Sequence, residues 1–231
     1  MYMNSDICII KPKYNHKYTF ILLHPMCCDY TYFFDFITKF KTNTYYSKYY
    51  NNIKFIIPNS NIMNINYPNN TLYNVNSWYN YYTCYDGINK IDKINIDDFL
   101  ESTKKIIDII KKENAILKSY KKIFIYGVSQ GGTLIFNILK LLSKNIGGVF
   151  ISKSIYMKKY INLNTNKKTP IFIYSGKNDQ IYNINFQKKL IKNLKKKYNI
   201  LFYIENDIDH FQYSENEFNF IVNNFIALTN Y

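Results

Sequence analysis

One short segment combines the residue types that nucleophilic acyl transfer requires. Gly127-Val128-Ser129-Gln130-Gly131-Gly132 places a serine among glycines, directly after an apolar run and before a stretch of helical spacing. Glycine is scarce, with 7 in 231 residues, and three of those seven lie in this segment. A chain so poor in glycine is expected to keep it mainly where the backbone requires it. A strand–turn–helix elbow is such a place, because side chains flanking the serine would clash with the neighbouring strand and helix. A plain helix N-cap is the other role open to Ser129.

A serine hydroxyl is a poor nucleophile until a base takes its proton, and the base needs a partner that fixes its tautomer. The chain has only 3 histidines. His16 lies in a Lys-flanked polar loop and reads as a surface residue, while His24 ends an apolar run and reads as structural. His210 follows the last apolar run and precedes the last helical stretch, which makes it the candidate base. With the serine in an elbow, the acid is expected between serine and histidine in chain order. Asp179 fits, in the turn Gly176-Lys177-Asn178-Asp179 after an apolar run; Asp207 and Asp209, beside His210, are the competing acids.

These groups need elements to hold them. Apolar runs at 18–24, 53–57, 122–126, 148–152, 170–174 and 200–204 predict buried strands. Between them, Phe99, Leu100, Thr103, Ile106, Ile107, Ile110 and Leu117 recur mostly at three- and four-residue steps, which predicts a helix over 97–117. Stretches 131–142, 183–194 and 215–228 have the same character. Such alternation predicts an α/β fold with a mostly parallel sheet covered on both faces. The Asn- and Tyr-rich stretch 59–89 carries Pro68, shows no clear period, and reads as an irregular cover over a site or a disordered insertion. No repeat or linker divides the chain, and 231 residues fit a single domain over 1–231.

Composition excludes several classes. With 47% hydrophobic residues the chain can bury a core, and no run of about 18 apolar residues offers a membrane span. The net charge of +14 comes from 30 basic residues that are all lysine. Without arginine's bidentate fork, nucleic acid is not the expected partner. Alanine occurs only at Ala115 and Ala227, so the bias towards Lys, Asn, Ile and Tyr reads as compositional drift. The lysines are read as solvated surface, with some attraction to anionic lipid. Cys8, Cys27, Cys28 and Cys84 form neither a zinc spacing nor a disulfide framework. The start has no basic n-region, Tyr2 is not the glycine myristoylation requires, and no prenylation box is present, so a soluble cytoplasmic protein is expected.

Taken together, these residues resemble the acyl-protein thioesterase and carboxylesterase branch of the α/β-hydrolases over about 18–226. The elbow is similar to that family's G-F-S-Q-G-G. Leu22-Leu23-His24-Pro25-Met26 resembles its L-H-G-L segment, Ser77-Trp78-Tyr79-Asn80 its W-[FY]-D segment, and Gly176 to Asp179 its G-x-x-D turn. The resemblance implies an α/β-hydrolase fold, Ser129 as nucleophile, His210 as base and Asp179 as orienting acid. It implies an oxyanion hole of the Met26 and Gln130 backbone N–H groups, and acyl-pocket walls around Met26, Trp78, Tyr79 and the 59–89 cover. The implied activity is cleavage of long-chain acyl thioesters or esters, S-palmitoylated proteins foremost, with no metal or cofactor. A small-ester carboxylesterase, a lysophospholipase and an inactive binding module are the alternatives. Transient contact with an anionic membrane surface and a homodimer are compatible with it. The sequence departs from the pattern at Pro25 and Asp207, which stand at family glycines, at Asn80 for aspartate and at Asn183 for proline. Asp29 lies one position further from His24 than the related aspartate.

Overall fold

Strands whose residues are apolar on both faces must be covered on both, and this requirement organises the molecule. The computed structural model describes residues 1–3, 6–67, 70–83, 90–165 and 168–230. Its strands are β1 (Tyr2–Met3), β2 (Ile7–Ile10), β3 (Tyr18–Leu23), β4 (Ile53–Pro58), β5 (Asn61–Tyr67), β6 (Asn70–Ser77), β7 (Ile123–Val128), β8 (Gly148–Ser152), β9 (Ile171–Gly176) and β10 (Ile200–Glu205). The helices are α1 (Phe34–Thr42), α2 (Ser47–Tyr50), α3 (Ile96–Leu117), α4 (Gln130–Leu141), α5 (Ile184–Lys195) and α6 (Glu215–Thr229). Eight strands form one sheet in the order β1-β2-β4-β3-β7-β8-β9-β10. From β4 to β10 the neighbours pair in parallel, and β1 and β2 add an antiparallel edge.

Alternation along the strands sorts the core by chemistry. Ile21, Ile56, Ile125, Val149, Ile151 and Ile173 point to one face, where α3, α4 and α5 add Ile106, Ile110, Ile135 and Ile191. Phe20, Phe55, Phe124, Tyr126 and Phe150 point to the other, against Phe36 and Phe40 of α1 and Phe218 and Phe225 of α6. Phe20 and Phe225 stack with centroids 5.1 Å apart, and Phe124 meets Phe225 edge-on at 4.8 Å. Offset-stacked and edge-on pairs are the favoured aromatic arrangements, worth about 0.5–1.5 kcal/mol beyond area burial.

The six predicted strands and four predicted helices are present, with ends shifted by at most two residues. The stretch 59–89 differs from its sequence reading. Its first part holds the strands β5 and β6, paired antiparallel with a register shift between Met63 and Ile65. Ile65 is fully buried, and Met63, Leu72 and Val75 pack beside it on the core, while Ile62 and Tyr73 face solvent. The bulge breaks the period of two that would betray the strands, and Asn-rich strands carry little intrinsic β preference. Asn74 adopts φ 53° and donates its N–H to the Asn64 side chain at 3.0 Å, so asparagine here supplies the irregularity. Residues 68–69 and 84–89 of the stretch, Pro68 and Cys84 included, lie outside the described residues. Among the described residues, no helix is long and apolar enough to cross a membrane.

Candidate active site

Ser129 sits between the end of β7 and the start of α4, with φ 53° and ψ −115°. Such a conformation is strained for a residue other than glycine, at about 1–3 kcal/mol, and persists only where the surroundings enforce it. They do so by close packing. A Cβ on Gly127 would lie 2.6 Å from the Gly131 carbonyl oxygen, and one on Gly131 would run into the Leu23 carbonyl. The Ser129 N–H donates to the Ser152 carbonyl at 2.9 Å, and the Ser154 hydroxyl donates to the Ser129 carbonyl at 2.8 Å. Ser129 makes no side-chain capping bond to α4. Its Oγ instead lies 2.9 Å from His210 Nε2.

His210 is buried in the loop between β10 and α6, and its Nδ1 lies 3.0 Å from each carboxylate oxygen of Asp179. Asp179 is 5% exposed, and its Oδ1 also accepts the N–H groups of Ile181 at 2.9 Å and Tyr182 at 2.7 Å. The carboxylate is thereby held by donors on two sides. With the Nδ1 proton directed at Asp179, Nε2 presents its lone pair to Ser129. The competing acids point elsewhere. Asp209 accepts the N–H groups of Phe211 and Gln212, both at 2.8 Å, in a local turn. Asp207 is exposed and adopts φ 60°, a left-handed conformation that fits its place at a family glycine.

Gln130 opens α4, so its N–H has no carbonyl within the helix to donate to. Its buried side chain accepts the N–H of Trp78 at 2.8 Å and donates to the Tyr79 carbonyl at 2.9 Å. Trp78 in turn donates its indole N–H to the His24 carbonyl at 2.8 Å and accepts the Ser102 hydroxyl at 2.6 Å. Cys27, at φ 63°, donates its N–H to the Asn76 carbonyl at 2.8 Å. The segment 24–28, which carries Pro25 and Met26, is therefore anchored at both ends beside the elbow. His24 is fully buried, accepts the Ser60 N–H on Nε2 at 3.0 Å and directs Nδ1 at the Pro25 carbonyl, 2.7 Å away. Burial holds its pKa down at about 4.

A cavity of about 350 Å³ opens at Ser129, lined by Pro25, Met26, Tyr32, Tyr81, Ile181 and Phe211 among others. Trp78 and Tyr79 do not form its wall. Both are fully buried, and Tyr79 packs edge-on against Phe99 of α3 at 5.0 Å. They were the expected acyl-binding residues, and the correction has a simple cause: the Gln130 side chain draws this segment under the elbow, so its aromatics fill the core. Tyr81, two residues on, reaches the cavity in their place. Ile181, Tyr182 and Phe211 were missed, although their adjacency to Asp179 and His210 is a usable signal. His16 is half-buried instead of exposed, with Nε2 2.8 Å from the Thr19 hydroxyl.

A model of the phospholipase/carboxylesterase family matches residues 4–230. The chain belongs to this family, whose chemistry is ester hydrolysis. A search of curated proteins finds no match. Among solved structures, Arabidopsis thaliana SOBER1 aligns with a TM-score of 0.74 and 20% identity, covering 92% of this chain and 99% of that one. Bacillus cereus carboxylesterase gives 0.74 at 14% identity, over 96% and 93% of the two chains. Zea mays acyl-protein thioesterase 2 gives 0.71 at 15% identity, over 96% and 98%. At these identities the likeness establishes a shared α/β-hydrolase fold.

Proposed function

We propose that this family member is a serine hydrolase that cleaves long-chain acyl thioesters or esters, S-palmitoyl groups on proteins foremost. The observation that carries the reading is the continuous chain from Ser129 Oγ to His210 Nε2 at 2.9 Å and from His210 Nδ1 to Asp179 at 3.0 Å, at the mouth of a cavity. Ser129 Oγ attacks the acyl carbonyl as its proton passes to Nε2, and Asp179 stabilises the imidazolium that results. The oxyanion rests on the backbone N–H groups of Gln130 and Met26, the former at the positive end of α4. Collapse expels the thiolate or alkoxide, which takes the proton from His210. Water, deprotonated by the same imidazole, then releases the fatty acid and regenerates Ser129.

Apolar side chains of Met26, Val128, Ile181 and Phe211 along the cavity favour an acyl chain over a polar substrate. Its volume of about 350 Å³ favours a second reading, a small-ester carboxylesterase, since it stands near the low end of the ~300–1,000 Å³ typical of ligand sites. A chain-length series decides between them. Acyl-cysteine thioesters and esters from two to sixteen carbons are offered to the purified protein. Rising kcat/KM with chain length supports the first reading, and a maximum at two to four carbons supports the second. No turnover by the folded protein, and no labelling by a fluorophosphonate, overturns both. We place the reaction in the cytosol, with lysines drawing the protein to anionic membranes; vesicle binding that weakens steeply with salt is the test.

A further inference from the structure

The segment after β8 contains a buried lysine that the triad does not use. Lys153 is 1% exposed and adopts φ 48°, with its N–H donated to the Tyr174 carbonyl at 2.9 Å. Its ammonium lies 2.9 Å from Glu217 Oε2, in a carboxylate that is itself fully buried in the first turn of α6. It also donates to the Gln212 carbonyl, two residues beyond His210. The other carboxylate oxygen, Oε1, accepts the Tyr126 hydroxyl at 2.9 Å, while Oε2 takes the ammonium as an ion pair without a well-angled hydrogen bond.

A buried ion pair is a poor source of net stability, because the desolvation of both charges offsets their attraction. What this one does is connect two places. The residues on either side of Lys153 hold the nucleophile: Ser152 accepts the Ser129 N–H, and Ser154 donates to the Ser129 carbonyl. Lys153 itself holds the far end of the histidine loop and the start of the helix that follows. One tripeptide, Ser152-Lys153-Ser154, thus grips Ser129 by its backbone and the His210 loop by a buried ammonium.

We infer that Lys153, paired with Glu217, is a positioning residue that sets the Ser129–His210 distance. The inference rests on the serine-hydrolase reading for its kinetic consequence, but its structural content can be measured without turnover. Its left-handed backbone and buried charge are costs that such a role accounts for.

The test compares wild type with Lys153→Met/Glu217→Gln, which removes both charges, keeps an unbranched chain at 153 and leaves an acceptor for Tyr126. The expected outcome is a thermal midpoint within a few degrees of wild type and kcat lowered by about tenfold to a hundredfold, the range for a small misplacement of reacting groups. KM should be unchanged, because the cavity walls do not include either residue. The downfield proton resonance of the His210 Nδ1–H, assigned by its absence in Asp179→Ala, should broaden or vanish. A folded double variant that keeps both kcat and this resonance overturns the inference. Should the double variant not fold, Glu217→Gln alone takes its place, and unchanged kcat and resonance in it overturn the inference equally. Should wild type turn over no ester, the hydrolase reading fails by itself, and loss or retention of the resonance still decides the positioning role.

Discussion

The serine and the histidine that meet at 2.9 Å are held by different means. Ser129 is fixed by backbone: a strained turn wedged between β7 and α4, with glycines where the chain passes itself too closely for a side chain. The serine and its glycines lie within six consecutive residues, and Leu23, Ser152 and Ser154 close the packing around them. His210 is fixed by side chains from far along the chain: Asp179 on its ring, Gln180 on its N–H at 3.3 Å, and Lys153 on the loop beyond. Its neighbour Phe211 is 74% exposed. On the proposed reading, a nucleophile placed by packing is sensitive to the smallest added group, whereas a base placed by polar contacts can be displaced by degrees.

Substitutions can break this contrast in graded fashion. The largest effects belong to the groups that react under the proposed mechanism. Ser129→Ala or His210→Ala should lower kcat about 10⁴-fold or more, and Asp179→Asn about 10⁴-fold through the wrong tautomer, with the fold intact by circular dichroism. Next comes the elbow. Gly131→Ala drives a methyl into the Leu23 carbonyl, so stability should fall by about 1–3 kcal/mol and kcat by about 10²-fold in the protein that folds. If Gly131→Ala retained full activity, packing would not be what places Ser129.

The Ser129 side also has a pH-sensitive anchor in His24, whose folded pKa of about 4 lies below the usual 6.5. A histidine with a depressed folded pKa binds its proton more readily when unfolded. Its contribution to stability is therefore complete above pH 6.5 and is lost as pH falls towards 4, amounting to about 3 kcal/mol across that window. Urea midpoints measured from pH 7 to 4 should show this loss, and it should be smaller in His24→Gln. The smallest effect is expected on the histidine side. Gln180→Ala removes a single 3.3 Å bond to the His210 N–H and should cost about 0.5–1.5 kcal/mol of transition-state stabilisation, read from kcat/KM. A loss as large as that of Gly131→Ala would erase the distinction between the two halves.

How much of this is legible in the sequence follows from the same difference. Strands β3, β4, β7, β8 and β9 are legible because burial on both faces writes a continuous apolar run; β10 carries an equally apolar run, although it is the sheet edge and Leu201 and Tyr203 face solvent. Helix α1 carries Phe36, Ile37 and Phe40 at helical spacing, with Phe33 at its N-cap, and is open to the same reading. The antiparallel pair of β5 and β6 is not legible, because its bulge interrupts the alternation by which a half-buried strand is recognised. Trp78 and Tyr79 show a second limit. Aromatic character marks a residue as buried or binding, and which of the two it is depends on what lies above it.

The sequence alone determined the alternation of strand and helix, the elbow around Ser129 and the chain order of Ser129, Asp179 and His210. These are local features, set by periodicity, by glycine at points of backbone contact and by connection order. Tertiary structure decided that Asp179, and neither Asp207 nor Asp209, faces the imidazole, and that Tyr81 lines the cavity while Trp78 lies beneath it. It also decided that Lys153 turns inward to meet Glu217. Each of these depends on which groups, far apart in the chain, are brought together, and a hydrogen bond forms only once donor and acceptor come within about 3 Å.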